Sequence, residues 1–210
     1  MRPNISWATG QCKLGRMTIE QKLQQMGAAL RGMELTDKLP TIKPQVRRIG
    51  NQDVRVFDLN QVADGATAAN HVSLLLNNIA CLKDHLKAWC SKNGKPFTGE
   101  DLINNNQDVA IIHDLWNLDK HAELNRPSRS GLSPRFQSPP VAAIVPKDSS
   151  FVLDFKMVDG RLQSQVNLRI AAIVVDEHGN SLGSLEDIAL RAVTAWEAEL
   201  VRTGVTLNPS

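Results

Sequence analysis

The helical part of the fold is decided by residues 71–89, which read HVSLLLNNIACLKDHLKAW. At about 100° per residue, the apolar side chains of this stretch gather on one face of a helix, and the charged side chains of residues 83–87 lie on the other. The pattern predicts one long amphipathic helix that begins at Asp58 or Asn60 and ends near Ser91.

Further helices are indicated by capping signals followed by apolar residues at helical spacing. Thr18 and Gln21 form a capping-box pattern, and Ser184 is typical of a residue that precedes a helix. The predicted helices are residues 18–30, 99–105 after Thr98, 107–124 and 184–202.

The β part of the chain lies between the last two of these helices. Residues 151–157 alternate apolar and polar side chains, Asp159-Gly160 is typical of a two-residue hairpin turn, and residues 162–174 supply the return strand. Residues 141–145 are a candidate third strand, and residues 54–57 a short isolated one. The order of elements predicts an α+β fold: a mainly helical bundle with a small antiparallel hairpin or sheet packed on one side, and a C-terminal helix.

The 210 residues divide into two parts by composition. Residues 1–50 are expected to form an N-terminal tail, a helix and a connector over 34–50, which holds two prolines. Residues 51–205 are expected to form a single domain of helical bundle and hairpin. The sequence leaves open whether Met1 or Met17 is the true start.

Composition narrows the possible functions. Hydrophobic residues make up 42% of the chain, which excludes disorder throughout. A formal net charge of +2 excludes a strongly basic nucleic-acid binder, although it allows a local basic patch. No signal peptide or membrane-spanning run is seen, so we expect no membrane partner. The three cysteines form no CxxC motif, which favours free thiols and a cytoplasmic location.

Polar residues interrupt the apolar faces of two predicted helices. His71, Asn78 and His85 follow each other at intervals of seven residues in the long helix. The helix over 107–124 carries a polar strip beside its apolar face, formed by Asp114, Asn117 and His121. Because a buried polar group without a partner costs about 1–3 kcal/mol, we expect the two sets to meet between antiparallel helices.

Three interpretations of this constellation remain open. The polar residues form either a hydrogen-bonded seam that fixes helix register, or a catalytic or binding site across facing helices, or a metal site. The metal site lacks the Glu-x-x-His pairs of di-iron bundles, and we expect no metal and no cofactor. The loop that follows, with Arg126, Arg129 and Arg135, is either a phosphate cradle or a solvated basic loop.

Two segments carry a resemblance to a known family. Residues 81–89, CLKDHLKAW, and residues 114–121, DLWNLDKH, followed by an Arg/Ser/Pro loop, resemble a pattern of uncharacterised bacterial proteins that are similar to HEPN-like helical proteins. The resemblance covers residues 70–135. It implies a role in defence or as a toxin, with RNA or a nucleotide as ligand, metal-independent RNA cleavage and a homodimer.

The resemblance also implies roles for single residues. His121 is the acid and base, Asp114 and Asn117 orient it, and His85 is a further catalytic candidate. The phosphate-binding candidates are Lys120, Arg126 and Arg129. Catalytic HEPN ribonucleases carry an arginine one to two turns before this histidine, whereas residues 107–124 contain none. The alternative is a non-catalytic structural or protein-interaction module whose polar seam only sets packing, so catalysis itself stays open.

Overall fold

The structure is a computed structural model that describes residues 18–38, 45–50, 52–56, 65–121, 123, 127–145, 156–158, 161–163 and 165–205. Within these ranges it is an α+β fold, mainly helical, as the sequence predicts. The helices are α1 (Ile19–Arg31), α2 (Gly65–Ala80), α3 (Leu82–Asn93), α4 (Gly99–Asn105), α5 (Gln107–His121) and α6 (Leu185–Thr203). No helix in the described part of the chain is both long and apolar enough to cross a membrane.

The strands form small antiparallel sheets. They are β1 (Glu34–Lys38), β2 (Gln45–Ile49), β3 (Gln52–Val56), β4 (Arg135–Phe136), β5 (Val141–Val145), β6 (Lys156–Val158), β7 (Arg161–Gln163), β8 (Gln165–Ala171), β9 (Ile173–Val175) and β10 (Ser181–Ser184). Two sheets have three strands, in the orders β1-β8-β5 and β10-β9-β4. The pairs β2-β3 and β6-β7 form two-stranded hairpins.

A single apolar core joins the helices. α5 packs against both α2 and α6, and it contributes Ile112 and Leu115. The largest side chain in the core is Trp196 of α6, which is fully buried. α1 adds Ile19 and Met26 to the same core, so part of the first 50 residues packs with the remainder of the chain.

Local capping explains where α1 and α6 begin. The Thr18 hydroxyl accepts from the Gln21 N–H at 3.3 Å, and the Thr18 N–H donates to the Gln21 side chain at 3.0 Å. Ser184 caps α6 by accepting from the Asp187 N–H at 3.1 Å. α6 ends at Gly204, whose φ of 95° is left-handed and suits glycine. Both predicted caps are confirmed.

The prediction of one long helix up to Ser91 is wrong, because the helix is interrupted at Cys81 and divides into α2 and α3. The interruption is slight, because Cys81 stays in the right-handed helical region and its N–H still donates to the Asn77 carbonyl at 3.0 Å. The Asn78 amide donates to the Leu74 carbonyl at 2.8 Å, and the Cys81 thiol donates to Asn77 Oδ1 at 3.3 Å. The expected start at Asp58 or Asn60 lies outside the described residues.

The prediction of a connector over residues 34–50 is also wrong, because β1 and β2 lie there. The expected return strand 162–174 divides into β7, β8 and the start of β9. β7 pairs with β6 around the predicted turn, whereas β8 pairs on its two sides with β1 and β5. A central strand makes hydrogen bonds along both of its edges. β1 is the partner strand on the second edge of β8, and the sequence pattern does not reveal it. The expectation that residues 141–145 form a strand is confirmed.

Candidate functional site

Asp114 is the most buried of the candidate catalytic residues. It lies in the middle of α5 and its side chain is completely shielded from solvent. Its Oδ2 accepts from the Ser128 hydroxyl at 2.6 Å, from the Ser130 hydroxyl at 2.8 Å and from the Ser130 N–H at 2.9 Å. Its Oδ1 accepts from the Arg129 N–H at 3.0 Å. The carboxylate therefore anchors the loop that follows α5.

The anchored loop is held by a network around the two serines. Their hydroxyls lie 2.9 Å apart, and they accept from the backbone N–H groups of Leu132 and Ser133. The Gln107 side chain at the start of α5 donates to the Ser130 carbonyl at 2.9 Å. Serine hydroxyls both donate and accept, so they can link a carboxylate to a turn of backbone. The loop is thereby tied to both the start and the middle of α5.

Arg129 is engaged in an ion-pair cluster. Its guanidinium donates to Glu100 at 2.8 Å, and Lys83 lies 3.1 Å from the same carboxylate. Burial raises the pKa of Glu100, but hydrogen bonds from Arg129 and Lys83 outweigh it and lower the pKa below its ordinary value. Arg129 thus joins the loop to α4, and the carboxylate on α4 already neutralises much of its charge. Arg126 lies outside the described residues.

His121 and Lys120 lie at the C-terminal end of α5, and both are exposed. The Lys120 ammonium is 3.8 Å from the centre of the Trp116 ring, within range of a cation–π contact. His121 is seven residues beyond Asp114, about 10 Å along the helix axis. The structure therefore does not bring the Asp114 carboxylate to the His121 ring.

Asn117 and His85 complete the candidate set. Asn117 is half-buried, and its Nδ2 atom has no hydrogen-bond partner among the described residues. His85 is half-buried on α3. The expectation that the polar set of α5 meets the polar residues of the preceding helix is wrong for Asp114, which is buried but hydrogen-bonded to donors of the following loop. Asn117, expected to be buried in the same seam, is only half-buried.

A buried lysine completes the α2 side of the polar seam. Asn78 Oδ1 accepts from the Lys22 ammonium at 2.8 Å, and only 5% of Lys22 is exposed. Sequence reasoning selected Asn78 but missed its partner on α1. The signal was present, because Lys22 falls between Ile19 and Met26 on the apolar face of that helix.

A second missed cluster joins α4 to α6. The Glu199 carboxylate accepts from the Arg202 guanidinium at 2.6 and 2.8 Å, and the Thr98 hydroxyl donates to it as well. The hydrogen bonds from Arg202, with a smaller contribution from Thr98, lower the pKa of Glu199 against the opposing effect of burial. Thr98, predicted to cap α4, makes no side-chain capping bond there and binds α6 instead.

An open groove of about 510 Å³ runs between α2 and α5. Trp116 donates through its indole N–H to Asn77 Oδ1 at 3.2 Å, and Ser73 donates to Asp119 at 2.9 Å. Leu74 is 56% exposed at the rim. Asn70 and Lys120 complete the lining. The groove combines an aromatic wall, an exposed aliphatic side chain and a polar edge.

Comparison of the chain with family profiles, with curated proteins and with solved structures finds no significant match. The HEPN-like resemblance stays a prediction. Among the described residues, no group of three or more His, Cys, Asp or Glu side chains is placed to hold a metal ion.

Proposed function

We propose that this protein is a non-catalytic interaction module in which the polar side chains of α5 set the packing of the helices and of the 128–133 loop. The observation that carries the proposal is the state of the Asp114 carboxylate, which accepts four hydrogen bonds from that loop. A carboxylate that orients a catalytic histidine keeps an oxygen for the imidazole N–H. Asp114 supports the loop instead, about 10 Å along the helix from His121.

The groove between α2 and α5 is the surface that we assign to the partner. The cores of interfaces are enriched in aromatic side chains such as tryptophan, and a polar rim surrounds them. Trp116 supplies the aromatic side chain, Leu74 adds exposed apolar area, and Asp119 and Lys120 form the polar rim. Because the HEPN-like resemblance implies a homodimer, we take the partner to be a second copy of the chain. Cys81 and Cys90 are buried free thiols, which fits action in the reducing cytoplasm.

Sedimentation velocity over a range of concentrations tests this assignment. We expect the wild-type protein to self-associate and Leu74→Asp to shift it towards the monomer. Leu190→Asp is the matched control, because Leu190 on α6 is 48% exposed and lies outside the groove. Self-association that is unchanged in Leu74→Asp, or a chain that stays monomeric at every concentration, would refute the assignment.

The second candidate is a metal-independent ribonuclease centred on His121. The observation in its favour is that His121 and Lys120 are both exposed at the end of α5, where a phosphate could approach them. The test is incubation with single-stranded and structured RNA, with and without EDTA. His178→Ala serves as the control for His121→Ala, since His178 is an exposed histidine outside α5, in the turn between β9 and β10. Cleavage that survives EDTA and is lost only in His121→Ala would replace the non-catalytic proposal.

A further inference from the structure

The hairpin formed by β2 and β3 carries an excess of positive charge. Residues 45–56 contain Arg47, Arg48 and Arg55 against the single acid Asp53. This excess equals the formal net charge of +2 of the whole chain, so the other residues together are neutral. The net positive charge of the protein therefore equals the net charge of these 12 of its 210 residues.

The hairpin is exposed throughout the part whose side chains the structure describes, residues 45–50 and 52–54. Val46 is 64% exposed and Ile49 is 62% exposed. The Arg47 guanidinium donates to Gln45 Oε1 at 3.4 Å. Within the described part of the chain, neither Arg47 nor Arg48 is paired with a carboxylate.

The register of the hairpin places an arginine on each of its faces. Arg47 is paired with Val54, and the neighbouring pair on the other face is Arg48 with Asp53. Ile49 shares the face of Arg47 because side chains alternate along a strand. A sheet face that packs on protein is depleted of charge at its centre. Arginines on both faces, interleaved with β-branched side chains, suit a polyanion better than an apolar surface.

We propose that the β2–β3 hairpin is an arm that binds duplex DNA through its phosphate backbone. Two strands about 4.8 Å apart make a ribbon that fits the major groove of B-DNA, about 12 Å wide. The major groove of duplex RNA is too deep and narrow to admit it. The guanidinium groups of Arg47 and Arg48 have the planar fork that matches phosphate oxygens. The arm and the α2–α5 groove share no residue, so this inference and the proposed function can fail independently.

Fluorescence anisotropy with a labelled 30-base-pair DNA duplex, over a series of salt concentrations, tests the proposal on the full chain. The variant is Arg47→Gln together with Arg48→Gln. The matched control is Lys87→Gln with Lys95→Gln, which removes the same charge from two exposed positions outside the arm. A third variant, Arg47→Lys with Arg48→Lys, keeps the charge of the arm. Because the arm side chains are exposed, we expect all three variants to melt like the wild type.

We expect wild-type binding that weakens with salt, and a loss of about tenfold or more for the Gln variant of the arm. The slope of log K against log salt should fall by about two in that variant, since roughly one counterion is released for each phosphate contact. The control variant Lys87→Gln with Lys95→Gln should bind like the wild type. Arg47→Lys with Arg48→Lys should bind between the wild type and the Gln variant of the arm, because it keeps the charge and loses the planar fork. An arm variant that binds like the wild type, a control that weakens equally, or duplex RNA bound as well as DNA would each overturn the proposal.

Discussion

Replacing Asp114 by alanine removes the acceptor of four hydrogen bonds from the middle of α5. The two serine hydroxyls, 2.9 Å apart, can rotate towards each other. The backbone N–H groups of Arg129 and Ser130 cannot turn away, and a buried donor without a partner costs about 1–3 kcal/mol. Because both donors are only partly buried, we expect the lower half of that range for each. The free energy of unfolding should therefore fall by about 2–4 kcal/mol in Asp114→Ala.

Urea denaturation followed by tryptophan fluorescence measures this loss. The control is Asp108→Ala on the same helix, where the carboxylate pairs with the half-exposed Arg191 at 2.9 Å. The pair is bidentate, so we expect it to contribute about 1 kcal/mol, the upper end of the range for exposed ion pairs. If Asp114→Ala costs no more than Asp108→Ala, the carboxylate does not anchor the loop. The main support for a non-catalytic role would then be lost.

Three further predictions follow from the other contacts. Asn78→Ala should lower the free energy of unfolding by about 1–3 kcal/mol, because it removes an acceptor from the buried Lys22 ammonium. Urea denaturation of Asn78→Ala, of Lys22→Ala and of the double variant should show losses that do not add up. The pKa of Glu199 is lower in the folded protein than its ordinary value of 4.5, so its stabilising effect is present above that pH and is lost as the pH falls through the folded pKa; Glu199→Gln should flatten the acid limb of a pH–melting curve, and an unchanged limb would contradict this. The fragment 1–180 lacks α6 and should show no cooperative melting transition in calorimetry, whereas a sharp transition would mean that the core does not need this helix.

Local signals predicted the helices well. The capping box at Thr18, the Ser184 cap and the glycine at 204 act within one turn of the chain, so the sequence around each of them contains all that determines it. The break at Cys81 escaped prediction for a related reason. It is confined to Cys81, which keeps helical backbone angles, so the period of the apolar residues does not report it.

Contacts between distant segments were predicted less well. The polar strip on α5 correctly selected Asp114 as buried, but two of its four partners are backbone N–H groups, which have no sequence signature. Serines in a loop are too common to identify the other two. The pairing of β8 with β1 was missed because strand pairing depends on edges that become available only in the folded molecule. Asp114 was thus recognisable from its position, whereas its partners in the loop were not.

The position of β8 between β1 and β5 has a consequence during synthesis. Glu34 pairs with Arg169, which is added to the chain 135 residues later. At about 5–20 residues per second, the growing polypeptide carries β1 without its partner for on the order of ten seconds. An unpaired strand edge in this interval is prone to association with other chains. We therefore expect the yield of folded protein to depend on how fast the ribosome translates the residues between these two strands. That speed is a property of the messenger RNA rather than of the native contacts.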